Sequence, residues 1–190
     1  MTRMRAPIGD FADALSAPDC LDLLTPPVAA AVRAWTGPVP ADQILYVDTD
    51  PAIADTAVFV EHYGPALLDE SANCVVVAGK RGETTTLAAC VVKSATRVDV
   101  NGVVRRHLGA RKVSFAPMDT ATGDSGMEHG GITPIGLPAD WPLLVDAAVV
   151  DTPWVLVGSG RRRGKIIAPG KAFAQLPNAV VLEGLGLPPA

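Results

Sequence analysis

Residues 73–92 read NCVVVAGKRGETTTLAACVV, with one apolar run on each side of the turn GKRGE. Both runs contain many β-branched residues, which favour strands, and a short glycine-containing turn between two such runs is typical of a hairpin. The stretch therefore predicts an antiparallel pair of strands in the middle of the chain. A central hairpin favours an α+β fold over a doubly wound parallel sheet, whose strands are joined by crossover helices.

Shorter strand and helix patterns lie on both sides of this hairpin. The predicted strands are residues 43–51, 111–116, 142–151, 153–160 and 165–168. The predicted helices are residues 26–35, 53–64, 99–109, 117–126 and 169–177. Asp99 is a suitable N-cap for the third of these helices, and Gly109 is a suitable stop. No internal repeat occurs, so the pattern predicts one α+β domain.

The composition is that of one folded, acidic domain. Of the 190 residues, 48% are hydrophobic and 19% are charged, which suffices for a buried core and argues against disorder. The formal net charge of -4 argues against a general nucleic-acid coat, because neutralising phosphates requires many Lys and Arg side chains. Two basic clusters remain as local candidates, RRHLGARK at 105–112 and RRRGK at 161–165, and each is equally consistent with a solvated surface.

The cysteines and the apolar runs indicate the cellular setting. Cys20, Cys74 and Cys90 are odd in number and lack metal-ligand spacing, which supports neither a disulfide framework nor a zinc site. The first residues lack the apolar core of a signal peptide, and no run of about 18 apolar residues occurs. We therefore expect a cytoplasmic protein with reduced thiols, no bound metal and no membrane partner.

Local catalytic signatures are absent. The residues GSG at 158–160 lack the spacing of a nucleophile elbow. The run SGRRRGKI fails the phosphate-loop pattern, because Ser159 replaces the first glycine and Ile166 replaces the hydroxyl residue. The histidines are scattered, so their spacing does not support a metal cluster. His129 lies in a glycine-rich loop, where it is either a solvated side chain or a general base.

That loop, GMEHGGITPIGLP at 126–138, carries the most specific signal. Gly130 and Gly131 permit positive φ angles and leave backbone N–H groups unshielded, so the loop is suited to approach an oxyanion or a ligand carbonyl. Pro134 and Pro138 stiffen the residues that follow. Composition alone supports this interpretation and an ordinary double turn equally.

The order of four stretches is informative: LGARKVSFA, TGDSGMEHGGITPIGLP, LLVDAAV and WVLVGSGRRRGKIIAPG. Over roughly residues 44–185 this order resembles the YbaK/ProX family of aminoacyl-tRNA editing domains. The resemblance implies an α+β domain with a mixed, barrel-like β-sheet flanked by helices. It would comprise residues 43–190, with residues 1–42 as a helical extension packed on it.

The same resemblance implies an activity and a pocket. Family members hydrolyse the ester that joins a wrong amino acid to a tRNA, commonly a tRNA for proline, and need no cofactor. The partner is then the acceptor end of a mischarged tRNA, with an aminoacyl-tRNA synthetase as a further candidate. The glycine loop would lie against the ester carbonyl. The implied pocket residues are Thr49, Ser114, Gly130, Gly131, Thr133, Pro134, Gly136, Asp146, Gly158, Ser159 and Gly160.

One position departs from the family pattern. A lysine opens the first hairpin strand in the family, whereas this chain has Asn73 there, which offers hydrogen bonds but no charge. We expect Lys165 to supply the missing cation and Asn73 a hydrogen bond, with Lys93 as a second candidate for the cation. The departure keeps an alternative function open, a non-catalytic protein that binds an aminoacyl group, a nucleoside or tRNA on the same fold.

The resemblance also gives the basic clusters a partner. They are expected to contact the phosphates of the tRNA acceptor stem, which would make binding weaken steeply with salt. The residues concerned are Arg105, Arg106, Arg111, Lys112, Arg161, Arg162 and Arg163.

Overall fold

The computed structural model describes all 190 residues and has an α+β fold. The strands are β1 Arg3–Met4, β2 Ala14–Ser16, β3 Leu45–Val47, β4 Ala72–Arg81, β5 Thr84–Lys93, β6 Arg97–Val98, β7 Lys112–Phe115, β8 Leu143–Asp146, β9 Val155–Gly158, β10 Lys165–Ala168, β11 Ala179–Leu182 and β12 Gly186–Leu187. The α-helices are α1 Pro26–Arg33, α2 Thr56–Tyr63, α3 Leu67–Glu70, α4 Arg105–Leu108, α5 Met118–Ser125 and α6 Ala147–Val150. A π-helical turn at Val100–Val104 leads into α4, and 3₁₀ turns include Pro51–Ile53 and Gly170–Gln175. No helix is long enough to cross a bilayer.

The strands form two five-stranded sheets and one two-stranded ribbon. The first sheet has the order β1-β2-β3-β10-β9, and all of its pairs are antiparallel. The second has the order β11-β8-β5-β4-β7, with parallel pairing of β8 to both β5 and β11. The expected α+β fold with mixed strand directions is confirmed, and the strands form two sheets instead of one closed barrel. Only one isolated bridge, between Ser71 and Leu156, links the two sheets, so they stay open.

The central hairpin is confirmed as the pair β4 and β5. Its turn passes through Gly82, which has a φ of 62°. Alternation along β4 directs Ala72 and Val76 into a large apolar core and Val77 into a smaller cluster on the opposite face of the second sheet. Ile166 of β10 belongs to the same large core, which therefore receives side chains from both five-stranded sheets.

The structure corrects one predicted strand. Residues 142–151 were expected to be extended throughout, but the strand ends at Asp146 and Ala147–Val150 form a helical turn. The cause is an N-cap, because Asp146 Oδ1 accepts a hydrogen bond of 3.2 Å from the amide of Ala148. The apolar run could not reveal this boundary, since a buried strand and a buried helix have the same composition.

Residues 1–42 contain the predicted helix as α1, and they also contain two strands. β2 pairs with β3, so this segment contributes an edge to the first sheet. Its helix packs with Val28 and Val32 fully buried in the large core. The segment is therefore integrated with the sheet as well as packed on it.

Candidate active site

A cavity of about 350 Å³ opens where β4 begins and β9 ends, beneath α2 and the glycine loop 126–138. No Asp or Glu side chain lines it, whereas a lysine and a histidine do. The lining residues are Ala54, Thr56, Phe59, Val60, Ser71, Ala72, Asn73, Cys74, Val75, Ser94, Met118, His129, Gly130, Ile132, Leu156, Val157, Gly158 and Lys165. The walls are thus mostly apolar, with a few polar groups and no negative charge.

Lys165 is the cation of this cavity. It opens β10, and its Nζ atom lies 5.7 Å from the centre of the Phe59 ring, a cation–π contact. No carboxylate pairs with it. Burial, reinforced by the positive charge of Arg162, holds the pKa of the Lys165 amine below its usual value. The cavity therefore contains a partly desolvated amine without a counter-ion.

Asn73 lies at the exposed rim of the same cavity. Its Oδ1 accepts a hydrogen bond of 3.4 Å from the hydroxyl of Ser94, and the Ser71 and Ser94 hydroxyls lie 2.9 Å apart. The next residue, Cys74, packs against the large core on the other face of β4. Burial raises the pKa of the Cys74 thiol, so it stays protonated and is a poor nucleophile. Asn73 is thus part of a neutral hydrogen-bonded chain.

The glycine loop supplies backbone donors, although not the pair expected. The amide of Gly131 is occupied, because it donates to the carbonyl of Glu128 at 3.0 Å. The amides of Gly130 and Ile132 have no partner within the protein, and both residues line the cavity. Gly130 has a φ of 79°, a left-handed conformation that glycine adopts without strain. Two N–H groups without a protein partner therefore belong to residues that line the cavity.

Backbone-to-backbone packing joins the glycine loop to the arginine turn, residues 159–164. The Gly160 amide donates to the Gly131 carbonyl at 2.8 Å, and the Glu128 amide donates to the Gly160 carbonyl at 2.8 Å. A Cβ on Gly131 would overlap the backbone of Arg161, and one on Gly158 would lie 2.5 Å from the Gly131 carbonyl oxygen. These glycines are required by close approach.

This arrangement of fold, glycine loop and arginine turn has relatives among known proteins. The family model of the aminoacyl-tRNA editing domain matches residues 50–176. The chain belongs to the aminoacyl-tRNA editing domain family. The resemblance that the sequence motifs predicted is thereby confirmed, and the two loops and the cavity all lie in the matched part.

Solved structures share the fold of this editing domain. One, described as a candidate trans-editing enzyme for prolyl tRNA synthetase, is 19% identical with a TM-score of 0.65, covering 84% of this chain and 97% of its own. A scaffold protein from work on epitope backbone grafting is also 19% identical, with a TM-score of 0.66 and coverages of 83% and 94%. The hypothetical protein APE2540 is 21% identical, with a TM-score of 0.56 and coverages of 63% and 76%. No curated protein sequence matches the chain significantly.

Several predicted pocket residues of the editing domain do not line the cavity. Thr49 and Ser159 are buried and hold the arginine turn, since Thr49 Oγ1 accepts from the Gly164 amide at 3.0 Å and Ser159 Oγ contacts the Gly164 carbonyl at 3.1 Å. Asp146, besides capping α6, accepts from the Gly186 amide at 2.7 Å. Ser114 is exposed on β7, at the edge of the second sheet.

Thr133, Pro134 and Gly136 lie on the far side of the glycine loop. Thr133 is fully buried, and its hydroxyl has no hydrogen-bond partner. A Cβ on Gly136 would lie 2.5 Å from the carbonyl oxygen of Pro27, so the loop is pressed against α1 here. Of the predicted residues, the cavity therefore brings together Asn73, Gly130, Gly158 and Lys165. It adds hydrophobic and hydroxyl residues that no sequence motif marked.

The three arginines of the arginine turn have different surroundings. Arg161 donates from Nη2 to the carbonyls of Asp22 and Leu24, which ties the turn to the N-terminal segment. Arg163 makes two hydrogen bonds of 2.7 Å to Asp48, which hold the pKa of that carboxyl below its usual value. Arg162 is exposed and approaches Gly130 at the cavity, although its Nε donates to the Pro51 carbonyl at 3.0 Å. Of the three arginines, Arg162 therefore lies nearest the cavity.

The second basic cluster lies at the other end of the hairpin. Arg105, Arg106 and Arg111 surround a shallow hollow together with Arg81, and no carboxylate forms a salt bridge with any of them. Lys112 is exposed on the adjoining strand β7. The nine residues of β4 from Asn73 to Arg81 are separated by eight steps, which span about 26 Å at the rise of an extended strand. The cavity and this basic cluster therefore lie at opposite ends of the β4–β5 hairpin and are separate surfaces.

Metal-ligating side chains do not cluster anywhere in the fold. No three His, Cys, Asp or Glu side chains lie close enough together to hold a metal ion. His129 lines the cavity without a second histidine beside it. The chemistry available to the cavity residues is therefore that of an amine, an imidazole, an amide, hydroxyls and backbone N–H groups.

Proposed function

We propose that this protein is an aminoacyl-tRNA deacylase that hydrolyses the ester of a mischarged tRNA in trans. The observation that carries the proposal is the cavity itself, where the unpaired amine of Lys165 and the free amides of Gly130 and Ile132 line one space. Membership of the editing-domain family supports the same reaction. Residues 43–190 would act as the editing domain, with residues 1–42 as an extension that buttresses it.

In the proposed mechanism, polarisation of the ester carbonyl is the main task. The carbonyl oxygen accepts hydrogen bonds from the Gly130 and Ile132 amides, and such donors contribute roughly 2.7 to 4 kcal/mol each to transition states of acyl transfer. The Lys165 ammonium adds a positive charge in a poorly solvated site, where it acts strongly on a developing oxyanion. Asn73 donates a neutral hydrogen bond at the rim.

The bonds balance without a cofactor. Water adds its oxygen to the acyl carbon, the bond between that carbon and the ribose oxygen breaks, and the ribose oxygen takes a proton from Lys165. One proton of the attacking water restores the Lys165 ammonium, and the other leaves the amino-acid carboxyl group to solvent. An ammonium with a lowered pKa gives up a proton more readily than an ordinary lysine, so Lys165 is suited to protonate the leaving oxygen. The products are a free amino acid and an uncharged tRNA.

The tRNA would be held by phosphate contacts at two places. Arg162, at the cavity, is placed for the end of the acceptor strand, and the cluster around Arg105, Arg106 and Arg111 for a more distant part of the stem. The surface between them is the β4–β5 hairpin. The protein would act in the cytoplasm, where its three free cysteines stay reduced.

The test is a deacylation assay over mischarged tRNAs, including proline tRNA carrying Cys, Ala or Ser. Wild-type protein should release at least one amino acid, and Lys165→Ala should lower that rate at least a hundredfold. The matched control is Lys171→Ala, an exposed lysine outside the cavity, which should leave the rate unchanged. Equal rates for Lys165→Ala and wild type would remove Lys165 from the mechanism.

Asn73→Lys separates the catalytic proposal from the binding-only alternative. If the wild-type protein binds tRNA but releases no amino acid from any of these substrates, the deacylase proposal is wrong. Activity that emerges only in Asn73→Lys would identify a decayed editing domain. If wild type is active, Asn73→Lys should change the rate on the same substrates, because a second cation then faces the cavity already occupied by Lys165.

A further inference from the structure

A second cavity, of about 240 Å³, lies behind the glycine loop. Its walls are α1, the end of that loop, and residues 175–178. Two indole rings, Trp35 and Trp141, line it together with Leu137, Leu143 and Leu176. It shares no lining residue with the cavity that holds Lys165. It is therefore a separate space, and part of its wall lies outside residues 50–176, which the family model matches.

Hydrogen bonds fix the walls of this second cavity. The Trp35 indole N–H donates to the Val39 carbonyl at 2.9 Å, and the Val39 amide donates to Gln175 Oε1 at 3.3 Å. Trp141 is buried, and its amide donates to the Pro138 carbonyl at 3.1 Å. These hydrogen bonds fix the positions of the two tryptophans that form the walls.

One wall carries unused polar groups. Within the protein, Gln175 uses only Oε1 and Asn178 only Nδ2 in hydrogen bonds, which leaves an amide N–H donor on the first and a carbonyl acceptor on the second. Asn178 is also the one non-glycine residue with a positive φ, 62°. The other lining side chains are apolar apart from the Thr36 hydroxyl, so a ligand would be recognised by this donor and acceptor together with that hydroxyl.

We propose that the second cavity binds a purine base. A cavity of about 150 Å³ with apolar walls accommodates benzene, so 240 Å³ exceeds what one six-membered ring needs and suits two fused rings. Indole faces stack favourably on a base. Side-chain amides of Asn and Gln pair with the donor and acceptor edge of adenine, which the Gln175 and Asn178 groups match.

A base bound in the second cavity would affect the first cavity through the loop that lies between them. Pro134 and Gly136 line the second cavity, Gly130 and Ile132 line the first, and only Thr133 separates Ile132 from Pro134. A base bound behind the loop therefore supports the backbone of the residues that line the proposed ester site. The base has two possible sources, a free adenine nucleoside or the terminal adenosine of a tRNA.

Tryptophan fluorescence tests the proposal in the full-length protein, using a Trp154→Phe background because Trp154 lies at neither cavity. Adenosine should quench the signal saturably. Cytidine should bind at least tenfold more weakly because it has a single ring, and indole because it lacks the adenine edge. Indole binding is measured by equilibrium dialysis, since its own emission overlaps that of tryptophan. Ala31→Leu, which fills the cavity, should weaken adenosine binding at least tenfold. Ala30→Leu, on the exposed side of the same helix, is the control and should change nothing.

Asn178→Gly tests the polar edge, since glycine keeps the left-handed backbone and removes the amide. It should weaken adenosine about tenfold and leave indole unaffected. Absence of quenching by adenosine, equal affinity for indole and adenosine, or equal effects of Ala31→Leu and Ala30→Leu would each overturn the purine assignment. Because no aminoacyl ester is used, such a failure would leave the deacylase proposal standing.

Competition identifies the source of the base. If the site takes the tRNA terminus, intact uncharged tRNA should displace adenosine and tRNA trimmed of its terminal adenosine should not. If it takes a free nucleoside, adenosine should remain bound at saturating concentrations of both tRNAs. Both results support a purine site and assign it to different ligands.

Discussion

The backbone amide of Gly160 donates a hydrogen bond of 2.8 Å to the carbonyl of Gly131. This bond holds the arginine turn against the glycine loop, with no side chain between the two backbones. The geometry of the candidate active site therefore depends on an approach that only glycine permits. It follows that small substitutions in this contact should affect activity more than larger ones elsewhere.

Gly131→Ala should separate the two loops. The added Cβ would overlap the Arg161 backbone, which cannot rotate away, so the free energy of unfolding should fall by about 1 to 3 kcal/mol. Deacylation should drop about a hundredfold, as expected when catalytic groups are misplaced by about 1 Å. The control is Gly123→Ala in α5, where a Cβ meets nothing and stability should rise by about 1 kcal/mol. Urea unfolding and deacylation rates measure both effects, and a Gly131→Ala protein of unchanged activity would refute the backbone argument.

Lys165→Met should stabilise the protein while abolishing its activity. Methionine fills a similar volume and relieves the burial of an unpaired charge, so the free energy of unfolding at pH 7 should rise by about 1 kcal/mol. The folded-state pKa of Lys165 is lowered, so the unfolded chain binds more protons between that pKa and about 10.5. The free energy of unfolding of the wild-type protein therefore increases relative to that of the variant as the pH rises through this window. Urea unfolding at pH 7 and pH 10 measures the difference in the free energy of unfolding between the wild-type protein and the variant.

The deacylation rate should fall on the alkaline side at a pH below the ordinary lysine value. Burial and the charge of Arg162 lower the pKa of Lys165, so the proposed cation is lost earlier than on an exposed lysine. Lys165→Arg keeps its charge but cannot give up a proton, so its rate should be lower than that of the wild type and should not decline further through this pH range. Rates are corrected for spontaneous ester hydrolysis. A catalysed rate that increases through this range would mean that the neutral amine, acting as a base, is the active form.

Binding of tRNA should weaken as the salt concentration rises, and each arginine that contacts a phosphate should contribute a measurable part of that salt dependence. Replacing Arg105, Arg106 or Arg111 with Ala should lower the slope of log affinity against log salt by about 0.7 to 0.9 each. Arg33→Ala, at the exposed end of α1, is the control and should leave the slope unchanged. Filter binding at several salt concentrations gives the slopes. Identical slopes for wild type and all three variants would exclude the distant cluster from the tRNA interface.

The sequence predicted much of the fold and only part of the site. The hairpin and the helix that begins at Asp99 were visible because alternation and capping are local signals. The division of the strands into two open sheets could not be predicted, since it depends on pairing between strands far apart in the chain. The cavity brought Asn73 and Lys165 together as expected, but the hydroxyls of Ser71 and Ser94 were missed. They flank strand ends that become neighbours only after β4 and β5 pair.

Residues Thr25 to Val28 lie directly behind both loops of the site, against Gly160 and Gly136. The segment needed to keep the shape of the first cavity is consequently larger than residues 50–176, which the family model matches. A graft of residues 50–176 into another chain would transfer every lining residue of the first cavity and lose the backing that shapes it. A substitution between Thr25 and Val28 can then change the shape of the first cavity without changing any residue that lines it, and comparisons restricted to cavity residues would overlook the change.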